Sequence, residues 1–153
     1  MKLTEYLTLP LVRVPLKATD KAQAITELVD LLAEKGMTGD RDVLLEAVLE
    51  RESQRTTGIG RGFAVPHAKC DAVGRLAIAF GRAAEPIDFS AIDGRPVTLI
   101  ALLASPTTAT SLHIQALAKL SRMVMNEAIL DALLSAKTSD SFYKVISDND
   151  AGS

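Results

Sequence analysis

The longest apolar run in the 153-residue sequence extends from Val97 to Ala104 and is interrupted only by Thr98. A helix that spans a bilayer needs about 20 predominantly apolar residues, so this run is too short to cross a membrane. Short apolar runs that are bounded by turn residues are typical of buried strands. The sequence therefore predicts a buried strand over 97–103, and a similar run predicts another over 76–80.

Stretches with helical periodicity flank these two predicted strands. After a short strand predicted over 11–16, Asp20 and Gln23 have the spacing of a capping box and predict the start of a helix that ends near Gly36. A second helix is predicted over 40–52, and turn residues between 85 and 96 separate the two apolar runs. Three further helices are marked by apolar residues at Leu112, Leu117, Leu120 and Val124, at Ile129, Leu130, Leu133 and Leu134, and at Phe142, Val145 and Ile146. Helices at both ends with strands between them predict an α/β domain with a central mixed sheet.

The composition limits the size, the partners and the location of the protein. A chain with 48% hydrophobic and 24% charged residues fits one globular domain, here 1–148, with a frayed tail over 149–153. A net charge of −2 and an aromatic content of 4% argue against a nucleic-acid partner. The first residues lack the features of a signal peptide, and the single Cys70 excludes an internal disulfide. We therefore expect a cytoplasmic protein without direct membrane insertion.

A glycine-rich segment, Thr57-Gly-Ile-Gly-Arg-Gly-Phe-Ala-Val-Pro-His67, separates the second predicted helix from the strands. Glycine permits positive φ angles and lets the backbone approach a ligand closely. Successive amides in such a turn can bind one anion. Pro66 restricts the backbone just before His67. The segment predicts an anion-binding loop that holds a histidine in one orientation, outside the regular elements.

The residue types around His67 suit phosphoryl transfer. A neutral imidazole nitrogen is nucleophilic near pH 7, and hydroxyls and cations can stabilise the charge on the phosphoryl oxygens. Two other interpretations remain open from the residues alone, a turn with a structural histidine and a metal site. The ligands of such a metal site would be His67, Cys70, Asp71 and His113, which lack the paired spacing of common zinc motifs. We expect no metal.

The longer stretch from Arg51 to Lys69, Arg-Glu-Ser-Gln-Arg-Thr-Thr-Gly-Ile-Gly-Arg-Gly-Phe-Ala-Val-Pro-His-Ala-Lys, resembles the active-site signature of the type 2 EIIA domain. This family belongs to the bacterial phosphoenolpyruvate:sugar phosphotransferase system and includes fructose, mannitol and nitrogen-regulatory members. Weaker similarity extends over 86–89, 93–94 and 112–120. The resemblance implies a mixed sheet flanked by helices. The expected fold is thus α/β, a single domain with a central mixed β-sheet flanked by helices on both faces.

The resemblance also implies a reaction and its partners. His67 is expected to accept a phosphoryl group from HPr or an HPr-like phosphocarrier and to pass it to a cysteine of an EIIB domain. His113 matches the second histidine of the family and is expected to hydrogen-bond the imidazole or the phosphate. No cofactor is expected. The remaining candidates for binding phosphate or ordering the loop are Arg51, Thr57, Gly58, Gly60 and Gly62.

Three functions remain possible at this stage. One is a phosphocarrier for sugar uptake, with fructose-type uptake favoured, and another is a nitrogen-type regulator whose phosphorylation state controls a regulatory target protein. A third is a degenerate domain that binds partners without being phosphorylated, which the intact His67 and His113 disfavour. Read alone, His113 could also be an ordinary half-buried histidine near the start of a helix. A helix N-terminus attracts anions, which favours the functional interpretation.

Overall fold

The computed structural model describes residues 1–150, and in this range six strands and five α-helices follow two short 3-10 turns. The strands are β1 (Val12–Leu16), β2 (Gly58–Gly60), β3 (Phe63–Ala64), β4 (His67–Lys69), β5 (Ala77–Ile87) and β6 (Val97–Ser105). The helices are α1 (Lys21–Glu34), α2 (Arg41–Gln54), α3 (Thr110–Met125), α4 (Glu127–Ser135) and α5 (Ser139–Asp148). In this part of the chain, no helix has the length and apolarity of a membrane span.

The strands form one mixed sheet in the order β1-β5-β6-β3-β2, and β4 pairs with β6 beyond this path. Strand β1 runs parallel to β5, β5 is antiparallel to β6, and β3 and β4 both run parallel to β6. Helices flank the sheet on both faces. The predicted α/β fold with a central mixed sheet is therefore confirmed.

Strand β6 is the most deeply buried element of the sheet. Its residues from Leu99 to Ser105 have no exposed surface, because the strand hydrogen-bonds to β5, β3 and β4. Such a strand needs apolar side chains on both of its faces, which explains its continuous apolar sequence. On the neighbouring strand, the Phe80 ring lies 6.0 Å from that of Phe63 and 5.0 Å from that of Phe142 on α5.

Two stretches of the sheet differ from the sequence prediction. Strand β5 continues to Ile87, through Glu85 and Pro86, where turn residues were expected. The pairing register shifts between Arg82 and Ile87, and an irregular ladder of this kind accommodates a proline that lacks an N–H. His67 was expected outside the regular elements, but it is the first residue of β4. A three-residue strand has too few residues to show a periodicity, and β6 supplies its hydrogen bonds.

A buried carboxylate connects the two ends of the described chain. Asp150 accepts hydrogen bonds from the N–H groups of Leu3 and Thr4, both at 3.0 Å, and from Nζ of Lys119 at 3.0 Å. Burial raises the pKa of Asp150, but these donors outweigh it, and its pKa lies below the ordinary value. Of the tail expected to fray over 149–153, Asn149 and Asp150 are thus held in the fold, and 151–153 lie outside the described residues.

Asp150→Asn should lower the free energy of unfolding by roughly 1.5–3 kcal/mol, the usual loss for hydrogen bonds to a charged group. Thermal or urea unfolding measures this change. Asp148→Asn is the matched control, because within residues 1–150 the Asp148 side chain forms only an exposed ion pair with Lys144 on α5, and such pairs contribute little. Equal stability of the two variants would contradict a structural role for Asp150.

Candidate active site

Backbone hydrogen bonds fix the segment that carries His67. The Val65 N–H donates to the Thr57 carbonyl at 3.2 Å, and the Leu103 N–H donates to the Pro66 carbonyl at 3.0 Å. Within β4, His67 then pairs with Leu103 of β6. The histidine backbone is therefore held against the most buried strand, while its side chain remains half-buried at the surface.

The tautomer of His67 follows from its one hydrogen bond within residues 1–150. Its Nδ1 atom lies 2.7 Å from the carbonyl oxygen of Val65. A carbonyl oxygen only accepts, so Nδ1 carries the proton of the neutral ring and donates it. The lone pair is consequently on Nε2, which is the nucleophilic atom.

His113 lies beside His67, on the first turn of α3. The centroids of the two rings are 5.3 Å apart and the rings meet edge to face at 65°. His113 is buried, and its Nδ1 atom lies 2.6 Å from Oγ of Ser105. The structure thus brings together the two histidines that the sequence singled out, from segments 46 positions apart in the chain.

Both rings are neutral at pH 7. Burial, with smaller contributions from His67 and Lys69, lowers the pKa of His113 to about 4. Burial also lowers the pKa of His67, against the opposing effect of the Val65 hydrogen bond, and the positive charge of Arg51 lowers it further. A neutral His67 keeps the free lone pair that a nucleophile requires.

His67 is accessible from two concave surfaces. The first is a cleft of about 410 Å³, and the second is a groove of about 270 Å³. The cleft is lined by Ala47, Glu50, Arg51, Gln54, His67, Ala68, Lys69 and His113. The groove is lined by Arg51, Arg55, Thr56, Thr57, Ile59, Val65, His67, Ile92, Leu117 and Ser121. His67 and Arg51 line both surfaces, so an anion bound at His67 would meet a guanidinium group.

A buried carboxylate on α2 orders the loop before His67. Glu52 accepts hydrogen bonds from the N–H of Thr57 at 2.9 Å and from the Thr57 hydroxyl, and it pairs with Nζ of Lys21 at 3.1 Å. The Thr57 hydroxyl is therefore engaged within the fold, which favours its loop-ordering role. Glu52 was not predicted from the sequence, although it continues the buried stripe of Leu44 and Val48 at four-residue spacing.

The glycine-rich turn packs against the loop of residues 88–96. At Gly58, a Cβ would come within 2.8 Å of the Ala91 Cβ, and Gly60 has a φ of +108°. Two amides of the turn already have partners, since Gly58 donates to Oγ1 of Thr56 and Arg61 donates to Asp93. These contacts favour a loop-ordering role for the glycines over a nest of free amides.

Two other residues at the site were not predicted. Ser105 contacts His113, and Lys69 lines the cleft. Ser105 follows directly on the apolar run of β6, where a hydroxyl stands out, but only the fold shows what it contacts. Within residues 1–150 no group of three or more His, Cys, Asp or Glu side chains is placed to hold a metal. Asp71 instead accepts hydrogen bonds from Thr107.

Comparisons with known proteins give a consistent result. The model of the family described as "Phosphoenolpyruvate-dependent sugar phosphotransferase system, EIIA 2" matches residues 5–149. The fructose-specific EIIABC component of Bacillus subtilis is 39% identical over 150 residues, which are 98% of this chain and 24% of that protein. The fructose-specific EIIA component of Haloferax volcanii is 41% identical over 128 residues, which are 84% of this chain and 83% of that protein. The crystal structure of the nitrogen regulatory protein IIA-Ntr from Neisseria meningitidis superposes with a TM-score of 0.87 and 29% identity, covering 94% of this chain and 98% of that one.

In an NMR titration of the ring signals, His113 should remain neutral between pH 7 and pH 5 and should titrate with a pKa of about 4. In His67→Ala this pKa should rise but stay below 6.5, because burial is its main cause. Since the unfolded chain binds a proton at His113 below about pH 6.5 and the folded chain does not, the free energy of unfolding should fall as the pH decreases from 6.5 to 4. A His113 pKa of 6.5 or above would contradict this.

Proposed function

We propose that this chain, which belongs to the EIIA 2 family of the phosphoenolpyruvate-dependent sugar phosphotransferase system, carries a phosphoryl group on Nε2 of His67. The observation that carries the proposal is the hydrogen bond from Nδ1 of His67 to the Val65 carbonyl. This bond leaves the Nε2 lone pair free on a ring that is neutral and accessible from the cleft.

The first step transfers the phosphoryl group from a phosphohistidine of HPr or an HPr-like carrier. The lone pair on Nε2 of His67 attacks phosphorus, the N–P bond of the donor breaks, and its electron pair returns to the donor nitrogen. No proton has to move, because Nδ1 holds the ring proton throughout. Val65 also stabilises the product, since its carbonyl faces the proton of a ring that becomes more positive on phosphorylation.

Charged and polar groups around the cleft stabilise the phosphoryl oxygens. Arg51 and Lys69 line it together with the two histidines, and the neutral His113 can donate a ring N–H to an oxygen. Arg51 also donates to the Arg55 carbonyl at 3.2 Å, so its guanidinium is tied to the loop. Loop-ordering roles are assigned to Thr57, Gly58, Gly60 and Gly62.

The second step passes the phosphoryl group to the thiolate of an EIIB domain for sugar uptake, with fructose as the favoured substrate. Sulfur forms the new bond to phosphorus, and the electron pair of the broken N–P bond returns to Nε2. Two fructose-specific relatives at 39% and 41% identity support this destination. The chain spans 24% of the Bacillus protein, so the acceptor would lie on another segment or another chain.

Regulation is the second candidate. The likeness to a nitrogen regulatory protein at a TM-score of 0.87 supports a chain whose phosphorylation state controls a regulatory target protein. Phosphorylation of His67 is common to both functions. They differ in the acceptor, so a transfer assay with a fructose-type EIIB domain separates them. Rapid transfer favours uptake, and a stable phosphorylated chain in its presence favours regulation.

Incubation with phosphoenolpyruvate, enzyme I and HPr should label the protein with phosphate that is acid-labile and alkali-stable. His67→Ala should abolish the label, because it removes the only nucleophile proposed. His113→Ala should still accept phosphate but pass it on poorly, since it lacks the donor to the phosphoryl oxygens. Radiolabel after gel separation measures all three.

Circular dichroism of both variants serves as the control for folding. Labelling that survives in a folded His67→Ala would mean that another residue is the nucleophile. Unchanged onward transfer in His113→Ala would assign His113 a structural role only. Absence of label in the wild-type protein with any HPr-type donor would contradict the carrier function.

A further inference from the structure

Ser105 is a buried polar residue at the end of the central strand. It has no exposed surface and is the last residue of β6, where it pairs with Lys69 of β4. Its carbonyl accepts the N–H of Cys70 at 2.8 Å. The backbones of β4 and β6 are thus fixed to each other at Ser105. Because His67 lies two residues before Lys69 on β4, the Ser105 side chain has a defined position relative to His67.

The Ser105 hydroxyl contacts a single partner within residues 1–150, the Nδ1 atom of His113 at 2.6 Å. A buried hydroxyl proton needs an acceptor. If Nδ1 carried the ring proton, Oγ of Ser105 would accept it, and the hydroxyl proton would then have no acceptor within residues 1–150. The hydroxyl of Ser105 therefore donates, and Nδ1 of the neutral His113 accepts.

This direction of the bond determines where the proton of His113 lies. A neutral imidazole has one N–H, and with Nδ1 as acceptor it must be on Nε2. Ser105 is hydrogen-bonded to Nδ1, so Nε2 is the ring nitrogen of His113 that remains available to a ligand. His113 lines the cleft together with His67. The two histidines have complementary tautomers, a lone pair on Nε2 of His67 and an N–H on Nε2 of His113.

We propose that Ser105 is a positioning residue, whose hydroxyl holds His113 in the Nε2–H tautomer as a hydrogen-bond donor to the phosphoryl group on His67. The inference rests on the proposed phosphorylation of His67. Without the tether, the His113 ring could turn or carry its proton on Nδ1, and Nε2 would then present a lone pair to the phosphoryl oxygens. Two lone pairs repel, so the phosphorylated state would lose stability.

Burial makes this arrangement effective at neutral pH. Because the pKa of His113 in the unphosphorylated chain is about 4, the ring carries a single proton near pH 7 when the phosphoryl group arrives. Its only donor is the single proton whose place Ser105 determines. A hydrogen bond between buried groups also resists exchange with water, so the donor is oriented before the phosphoryl group arrives.

The test compares Ser105→Ala with Ser105→Thr, which keeps the hydroxyl, and with Ser111→Ala as the matched control. Ser111 loses the same hydroxyl on the first turn of α3, but its partner is the exposed Gln115. Long-range ¹H–¹⁵N spectra of the unphosphorylated full chain at pH 7 report the tautomer. We expect Nε2–H for His113 in the wild-type protein, in Ser105→Thr and in Ser111→Ala. In Ser105→Ala, the Nδ1 signal should lose its hydrogen-bonded shift and part of the population should carry the proton on Nδ1.

The second readout is the phosphorylation equilibrium with HPr that enzyme I and phosphoenolpyruvate have phosphorylated. Ser105→Ala should shift this equilibrium away from phosphorylated chain by roughly two- to tenfold, as the loss of one oriented hydrogen bond implies. Ser105→Thr should restore it, and Ser111→Ala should leave it unchanged. Thermal unfolding of each variant verifies that a folded protein is compared.

Three results would overturn the proposal. The first is that His113 of the wild-type protein carries its proton on Nδ1. The second is that Ser105→Ala does not change the tautomer of His113, and the third is that Ser105→Ala leaves the phosphorylation equilibrium unchanged. A failure of the proposed function is distinguishable, because the tautomer is measured without phosphate. If the wild-type chain takes no label, the role toward the phosphoryl group falls even when the spectra show the Ser105–His113 bond.

Discussion

The parallel pairing of β4 with β6 is the constraint on which the site depends. It places His67 opposite Leu103 and Lys69 opposite Ser105, so a single short ladder positions the proposed nucleophile, a cation of the cleft and the residue that contacts His113. The ladder is rigid because β6 is bonded to three strands and has no exposed surface from Leu99 onward. A site built on such a strand keeps its geometry without help from a ligand.

In the proposed function, the two neutral histidines differ through the hydrogen-bond partner of their Nδ1 atoms. His67 donates to a carbonyl and exposes a lone pair. Nδ1 of His113 contacts the Ser105 hydroxyl, and in the proposed tautomer it accepts from this hydroxyl while Nε2 exposes a proton. Burial lowers the pKa of both rings, which keeps Nε2 of His67, the proposed nucleophile, unprotonated but costs stability in acid. Arg51 adds a positive charge on the cleft that lowers the pKa of His67 and, in the proposed function, would attract the incoming phosphoryl group. We propose that the same positive charge both prepares His67 as a nucleophile and stabilises the phosphoryl group that it would carry.

The sequence was sufficient for the α/β fold and for most of its helices and longer strands, because these elements carry regular apolar spacing. It was not sufficient for β2, β3 and β4, which have only two or three residues each and therefore show no period. Strands β3 and β4 pair with β6, and β2 pairs with β3. The pair of His67 and His113 was predicted from family resemblance, and the hydrogen-bond partners of their Nδ1 atoms were not. Ser105 and Glu52 were not predicted. Each is a polar residue in an apolar stripe, and its role is visible only when the folded structure places its hydrogen-bond partner beside it. The glycines were predicted as phosphate-binding or loop-ordering, and their contacts favour the second.

The most direct test of the account is the identity of the phosphorylated atom. NMR of ¹⁵N-labelled protein, phosphorylated through enzyme I and HPr, resolves the coupling between ³¹P and the ring nitrogens. Because the Val65 carbonyl holds the proton on Nδ1, the account predicts coupling to Nε2 of His67 and a retained proton on Nδ1. Phosphate on Nδ1 of His67, or on any other residue, would contradict it.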